Sequence, residues 1–229
     1  MSLPFSVGEF FDVFRQYNLA VWPAQWVLTA LGVVAVVGAL VPRAGLAHAA
    51  LGALAVLWLW MGAVYHLVYF AAVNPVAPVF GVLFVVQAAL LAVVAHDTTA
   101  ETFAPRRGAA AVVGWVLVVY ALVAYPLVGQ ALGHRYPAQP TFGLPCPTTI
   151  LTLGVLAWGI PRLPARLLVI PALWAVVATS AALQLGVGED LGLPVAAAAL
   201  AWLALRATGG VRRAWSSRGP AFVRGLLHH

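Results

Sequence analysis

The sequence has very few charged residues, and none of them is lysine. Only 8% of its 229 residues are charged, while 63% are hydrophobic. A soluble domain carries about 25% charged residues, because its surface must face water. The composition therefore excludes a water-soluble fold and indicates an integral membrane protein.

Cysteine is almost absent as well. The single cysteine, Cys146, excludes an intrachain disulfide and any paired-thiol motif. The first 17 residues carry Glu9 and Asp12 and lack a basic segment followed by an apolar core, so we expect no cleavable signal peptide. A P-loop, a GxSxG elbow and a dinucleotide fingerprint are also missing, and the sequence gives no support to those enzyme classes.

Seven apolar runs approach or exceed the length of about 20 residues that a helix needs to cross a bilayer. The predicted spans are 20–41, 47–72, 76–95, 109–132, 146–161, 166–186 and 190–207, of which the fifth is short. A short interfacial helix at 3–17 precedes them, with Ser6 and Glu9 as its capping box. We therefore predict one all-α membrane domain over 1–229, which consists of an interfacial helix (1–19), a seven-helix bundle (20–208) and an arginine-rich tail (209–229).

Arginine is distributed unequally between the two sides of this arrangement. Ten arginines fall on the side of the C-terminal tail, and only Arg15 and Arg135 fall on the other side. Because basic residues collect on the cytoplasmic side, we expect a bacterial inner membrane protein with its N-terminus outside and its C-terminus in the cytoplasm. The net charge of +6 then reflects topology and contact with anionic lipid in the bilayer, and nucleic acid is not an expected partner.

The longest polar interruption, HRYPAQPTFGLPCPTT at His134–Thr149, falls on the outer side of this topology. Most polar side chains of the spans also fall in their outer parts, which predicts an outward-facing polar vestibule under the 132–149 loop. Hydrogen bonding between neighbouring helices explains any single one of these residues equally well. The residues expected to line the vestibule or bind a ligand are His66, Gln87, His134, Arg135, Cys146, Thr149, Glu189 and Asp190.

Cys146 and His66 are the candidates for reactive groups. With Pro147 at the first helical position, Cys146 is expected to be the N-cap of the fifth span, where the helix dipole stabilises a thiolate. The alternative is a small cysteine packed under the loop. His66 could carry a proton or bind a metal, or it could be a neutral histidine that is hydrogen-bonded to a helix carbonyl or to a loop residue.

The acidic pair at the start of the last span has two explanations. Glu189 and Asp190 suit a helix N-terminus, and they could also attract a cation or hold Arg135. A transition metal is possible but is not indicated by any short metal-binding motif. Its candidate ligands, drawn from distant segments, are His66, His134, Cys146 and Glu189.

A faint internal repeat relates the first three spans to the last three. The segment Trp22–Thr29 echoes Cys146–Thr152, and each is followed by an apolar run that ends in a Pro-Arg pair. With the fourth span as a linker, this pattern predicts a parallel 3+1+3 repeat, as occurs in sugar-efflux transporters of the SWEET class.

Several motifs together resemble a bacterial multi-pass integral membrane protein family of unknown function. They are WxWxGxxYH, GHRYPxxPTFGLPCPTT and GVGEDLG, and the resemblance runs from about residue 5 to residue 205. It implies one compact unit of several helices. It brings no activity, cofactor or substrate with it.

Three functions remain open from the sequence. The leading hypothesis is a transporter of a small solute or ion, although the apolar inner half offers no evident exit path. The second is a membrane-embedded metal or thiol enzyme, or a redox protein, that acts at the outer face. The third is an accessory subunit of a larger membrane complex, and a homo-oligomer is also possible.

Overall fold

The computed structural model describes residues 4–103 and 107–216, with side chains through residue 207. These described residues form helices and no β-strand. The helices are α1 (Val7–Ala20), α2 (Ala24–Leu40), α3 (Ala44–Trp60), α4 (Ala77–His96), α5 (Ala109–Val119), α6 (Tyr125–Ala131), α7 (Pro145–Gly159), α8 (Val169–Leu185) and α9 (Gly192–Ser216). A π-helical segment, Met61–Tyr69, and a 3₁₀ turn, Phe70–Ala72, extend α3, and a second π-helical segment, Tyr120–Ala124, joins α5 to α6.

The capping box predicted for the first helix is confirmed. The Ser6 hydroxyl accepts a hydrogen bond from the Glu9 N–H, and the Glu9 carboxylate accepts one from the Ser6 N–H at 2.7 Å. These donors, the Ser6 backbone first and its hydroxyl second, hold the pKa of Glu9 below its usual value. The box therefore fixes the start of α1.

Among the described residues, five helical segments are long and apolar enough to cross a membrane. They are Ala44–Ala72, Ala77–His96, Ala109–Ala131, Ala165–Leu185 and Gly188–Ala207. The pair α1 and α2 passes the same test only when taken together, and it is bent by 92°. With its 15 residues α7 measures about 22 Å, which is shorter than the hydrocarbon core of about 30 Å. The predicted count of seven spans is therefore not confirmed.

The short helix α7 forms the centre of the bundle. Every residue of α7 except Cys146 is buried, and the helix packs against α2, α5, α8 and α9. The approach of α5 is close, because a Cβ on Gly154 would lie 3.1 Å from the carbonyl oxygen of Gly114. A helix that is apolar on all sides is stable only when other helices surround it, which explains its central place.

Helices α2–α4, which correspond to the first three predicted spans, pack differently from helices α7–α9, which correspond to the last three. Helix α3 packs against both α2 and α4, whereas α7 contacts α9 directly as well as α8. The predicted 3+1+3 repeat is therefore not confirmed.

The helices alternate in direction, so their ends form two groups. We call one of these groups the loop end. It contains α1, the starts of α2, α4, α7 and α9, and the ends of α6 and α8. At the opposite end, the Trp158 indole of α7 donates to the carbonyl of Ala111 at 3.3 Å, near the start of α5. Large apolar side chains lie exposed along the outward helix faces, among them Val82, Val176 and Leu183, as expected for a surface that faces lipid.

The arginine asymmetry can be followed only among the described side chains. Arg15 and Arg135 lie at the loop end. The described arginines at the opposite end are Arg43, Arg107, Arg162, Arg166 and Arg206. Arg106 and the side chains of the predicted 209–229 tail lie outside the described residues.

Candidate functional site

The α6–α7 loop, residues 132–144, is attached to α1 by one buried asparagine. Asn18 Nδ2 donates to the carbonyl oxygens of Pro137 at 2.7 Å and Gln139 at 2.8 Å, and its Oδ1 accepts from the Thr141 hydroxyl at 2.7 Å. The Asn18 carbonyl itself accepts from Gln25 of α2 at 2.8 Å. Asn18 thus joins α1, α2 and the loop, a role that we did not predict from the sequence.

The turn from the loop into α7 needs a glycine. Gly143 has φ of +96°, and a Cβ there would collide with the Leu28 side chain. Its N–H donates to the Thr148 hydroxyl at 3.1 Å, which ties the turn to the first part of α7. The N-cap residue is Leu144, and Cys146 is the second residue of the helix. The prediction of Cys146 as N-cap is wrong, because the first helical position is taken by Pro145, whose φ is fixed at a helical value.

Glu189 is held by a histidine. Its carboxylate lies 2.8 Å from His134 Nδ1, and its side chain is completely buried, while that of His134 is 15% exposed. A Cβ on Gly129 would lie 2.9 Å from Glu189 Oε1, so the glycine leaves room for the carboxylate. Arg135, the expected partner, is exposed and forms no hydrogen bond or ion pair with any described residue. The hypothesis that the acidic pair holds Arg135 is therefore wrong.

Asp190 is buried, and the groups that contact its carboxylate are uncharged. The Tyr125 hydroxyl donates a hydrogen bond to Asp190 Oδ1, and the thiol of Cys146 lies beside the same carboxylate. Within the described part of the chain, no arginine or histidine forms an ion pair with Asp190. The Cys146 sulfur thus faces a carboxylate, which opposes the thiolate that we expected from the helix dipole.

A cavity of about 220 Å³ lies beneath α1 at the loop end, and we call it the Asp190 cavity. Its polar walls include Asp190 and Cys146. Most of its lining is aliphatic or aromatic, and the aromatic residues are Phe5, Phe10, Phe14, Tyr65, Phe70, Phe80 and Trp174. The space under the loop is therefore far more apolar than the predicted polar vestibule.

The amino-acid sequence of the chain matches the model of a known family. The model of a family of unknown function, DUF6064, covers residues 7–213, from the start of α1 into α9. The chain belongs to the DUF6064 family. No curated protein and no solved structure matches it. All residues that line the Asp190 cavity except Pro4 and Phe5 lie inside the matched region, which agrees with the resemblance to an uncharacterised family found in the motifs.

Three of the predicted site residues lie inside the helical bundle of this DUF6064 protein, and none of them lines the Asp190 cavity. His66 is completely buried among aromatic rings, 4.6 Å from that of Phe84 between centroids, and neither of its ring nitrogens has a described hydrogen-bond partner. Gln87 donates to the carbonyl of Leu167 at 3.0 Å. The Thr149 hydroxyl is buried without a described partner. The helix carbonyl expected as a partner for His66 is thus not found.

The four candidate metal ligands are not brought together. His134 meets Glu189, but Cys146 neighbours Asp190, and His66 lies among aromatic rings. Among the described residues, no three histidine, cysteine, aspartate or glutamate side chains are close enough to hold a metal ion. A transition-metal site normally has three or four protein ligands, so this arrangement gives the metal hypothesis no support.

A second cavity, of about 440 Å³, lies on the other side of the loop. Gln25 and Trp26 of α2 and Trp22 just before it line this cavity together with Tyr125 and loop residues. Because Tyr125 also hydrogen-bonds Asp190, that hydrogen bond connects the walls of the two cavities. Tyr125 is a further residue of the site that the sequence did not reveal.

Proposed function

We propose that this DUF6064 protein is a multi-pass protein of the bacterial cytoplasmic membrane that transports a small solute or ion, which it receives at the loop end. The loop end faces outward and the C-terminus lies in the cytoplasm. Long apolar helices support the membrane location, and the excess of described arginines at the opposite end supports the orientation.

The Asp190 cavity is the observation that carries the proposal. Small-molecule sites are concave and mostly apolar, with a few polar groups that fix the orientation of the ligand, and this cavity has that character. Its volume of about 220 Å³ is below the range of roughly 300–1,000 Å³ typical of drug-sized ligands, which favours a small solute.

Irregular helix geometry beside the cavity supports transport over static binding. The π-helical segment Met61–Tyr69 contains Tyr65 of the cavity wall. The second segment, Tyr120–Ala124, contains Tyr120, whose hydroxyl donates to the Glu189 carbonyl at 2.7 Å. π-Helical segments interrupt the regular hydrogen-bond ladder and are frequent at functional sites. They give α3 and the α5–α6 pair places to bend, as a change from an outward to an inward conformation requires.

A flux measurement in proteoliposomes tests the transport proposal. We expect saturable uptake by the wild type, loss of that uptake in Asp190→Asn, and normal uptake in Asp97→Asn, whose carboxylate is 80% exposed at the opposite end. Movement of no solute or ion under any imposed gradient would overturn the proposal. Purification in mild detergent with a stoichiometric partner would favour an accessory subunit in its place.

The orientation has an independent test, because the chain contains only one cysteine. In a Cys146→Ser background, cysteine is introduced at Arg135 of the α6–α7 loop or at Glu101, which is exposed at the opposite end. A membrane-impermeant maleimide applied to intact spheroplasts should label the first variant and reach the second only after lysis. The reverse pattern would show that the orientation is wrong.

A further inference from the structure

We propose that the Asp190 cavity binds a small organic cation, whose positive charge is balanced by the Asp190 carboxylate and by the faces of the surrounding aromatic rings. The inference rests on the proposed function in taking this cation as the transported solute. The volume, charge and lining of the cavity bear on binding and not on transport. The binding proposal and the transport proposal can therefore be refuted separately.

The charges around the cavity are unbalanced. Two carboxylates lie next to each other in the chain, and Glu189 has His134 as its partner. Asp190, which is 5% exposed, is hydrogen-bonded by the neutral Tyr125 hydroxyl and lies beside the Cys146 thiol. His134 also acts on its charge, but the His134 ring is bound to Glu189, so the two carboxylates share one histidine. A buried carboxylate without a positive partner is unfavourable. A cation in the cavity would supply the missing partner.

The walls favour an organic cation over a metal ion. Rings from α1, the end of α3, the start of α4 and α8 surround the space, and aromatic faces attract ammonium groups by cation–π interaction. Calcium and magnesium prefer six or more oxygen ligands. Asp190 is the single carboxylate in a wall that is mostly aliphatic and aromatic, so the cavity offers few oxygens to replace the hydration shell of a metal ion.

Trp174 adds an aromatic wall next to Cys146. Its side chain lines the cavity, while its indole Nε1 is buried and turned away from the open space. The sulfur of Cys146 lies beside it but does not form a hydrogen bond of standard geometry with it. The cavity therefore meets the ring of Trp174 and not its N–H group, and an ammonium group is the part of the ligand that this wall favours.

The size and the entrance of the cavity limit the ligand further. The volume of about 220 Å³ lies below the range of roughly 300–1,000 Å³ typical of drug-sized ligands, so the ligand must be small. Val76, Val177 and Ser180 line the cavity and are themselves exposed, which places the open side between the start of α4 and α8. Two of these three side chains are aliphatic, and such an entrance suits a weakly hydrated ammonium ion with alkyl substituents.

Choline and its neutral isostere, 3,3-dimethyl-1-butanol, test this inference by isothermal titration calorimetry on the full chain in nanodiscs. We expect choline to bind the wild type, and the isostere to bind about tenfold or more weakly, because it lacks the charge. Asp190→Asn should weaken choline binding by about 10- to 100-fold while it keeps an acceptor for the Tyr125 hydroxyl. Tetramethylammonium, which keeps the charge and lacks the hydroxyl group, should also bind the wild type.

The control is Asp97→Asn, which removes an exposed carboxylate at the opposite end and should leave binding unchanged. An unaltered melting temperature of Asp190→Asn would show that its loss of binding is not loss of fold. Equal binding of the isostere, equal binding by Asp190→Asn, or binding of neither choline nor tetramethylammonium would overturn the inference. Choline binding without flux would support the cation site and overturn transport. Flux of a neutral solute alone would support transport and overturn the cation site.

Discussion

Replacing Asn18 with alanine should release the α6–α7 loop from α1. The substitution removes three side-chain hydrogen bonds, those to the carbonyls of Pro137 and Gln139 and that from Thr141. A typical hydrogen bond contributes about 0.5–1.5 kcal/mol net. The three loop residues are only half-buried, so water can reach the groups left behind and no large desolvation penalty is added. We therefore expect a loss of about 3 kcal/mol for attachment of the loop.

Arg135 makes this loss measurable, because it is exposed within the same loop and is a trypsin site. When opening is fast compared with cleavage, the cleavage rate follows the population of the open state. A loss of about 3 kcal/mol corresponds to roughly 100-fold faster cleavage after Arg135. The matched control is Asn74→Ala, which removes one hydrogen bond, from the Val76 N–H at 3.0 Å, in the α3–α4 turn. Equal cleavage of the wild type and the Asn18 variant would refute the anchoring role of Asn18.

Two further substitutions test the local geometry by unfolding in mixed micelles. His134→Ala leaves the buried Glu189 without its partner and should lower the free energy of unfolding by about 3 kcal/mol or more, while Arg135→Ala next to it should have no effect. Similar stability of the His134 and Arg135 variants would refute a stabilising contact between His134 and Glu189. Gly143→Ala, at φ of +96°, should cost about 1–3 kcal/mol, whereas Gly45→Ala in α3, where a Cβ meets nothing within 4 Å, should be neutral or stabilising. A Gly143 variant as stable as the wild type would contradict the observed turn.

The helices were largely predictable from the sequence because their signals are local. The fourth predicted span, 109–132, corresponds to Ala109–Ala131, and the sixth, 166–186, corresponds to Ala165–Leu185. Apolar runs of bilayer length and proline or glycine breaks define such limits. The π-helical segments were not predicted, because they depend on how the helices pack and leave no periodic pattern in the sequence.

The partners within the site were much less predictable. The sequence placed Asp190 and Cys146 at the loop end, where they do meet, but it gave Glu189 the wrong partner. Asn18 was missed because the loop residues that it contacts are more than 100 positions away in the chain. In the sequence, Asn18 is visible only as a polar residue after the aromatic face of an amphipathic helix, and this does not indicate its partners. Which of two neighbouring basic residues meets a carboxylate is decided by the path of the loop.

The geometry of a single 3₁₀ turn separates the roles of the two adjacent acids. Gly188–Leu191 precedes α9 in this conformation, with three residues per turn, so consecutive side chains point about 120° apart. Glu189 is thereby directed to His134, and Asp190 to Tyr125 and the cavity. The Tyr120 hydroxyl holds the same turn through the Glu189 carbonyl. Glu189 is therefore a positioning residue that fixes the turn, and its fixed place is what keeps the Asp190 carboxylate in the wall of an otherwise apolar cavity.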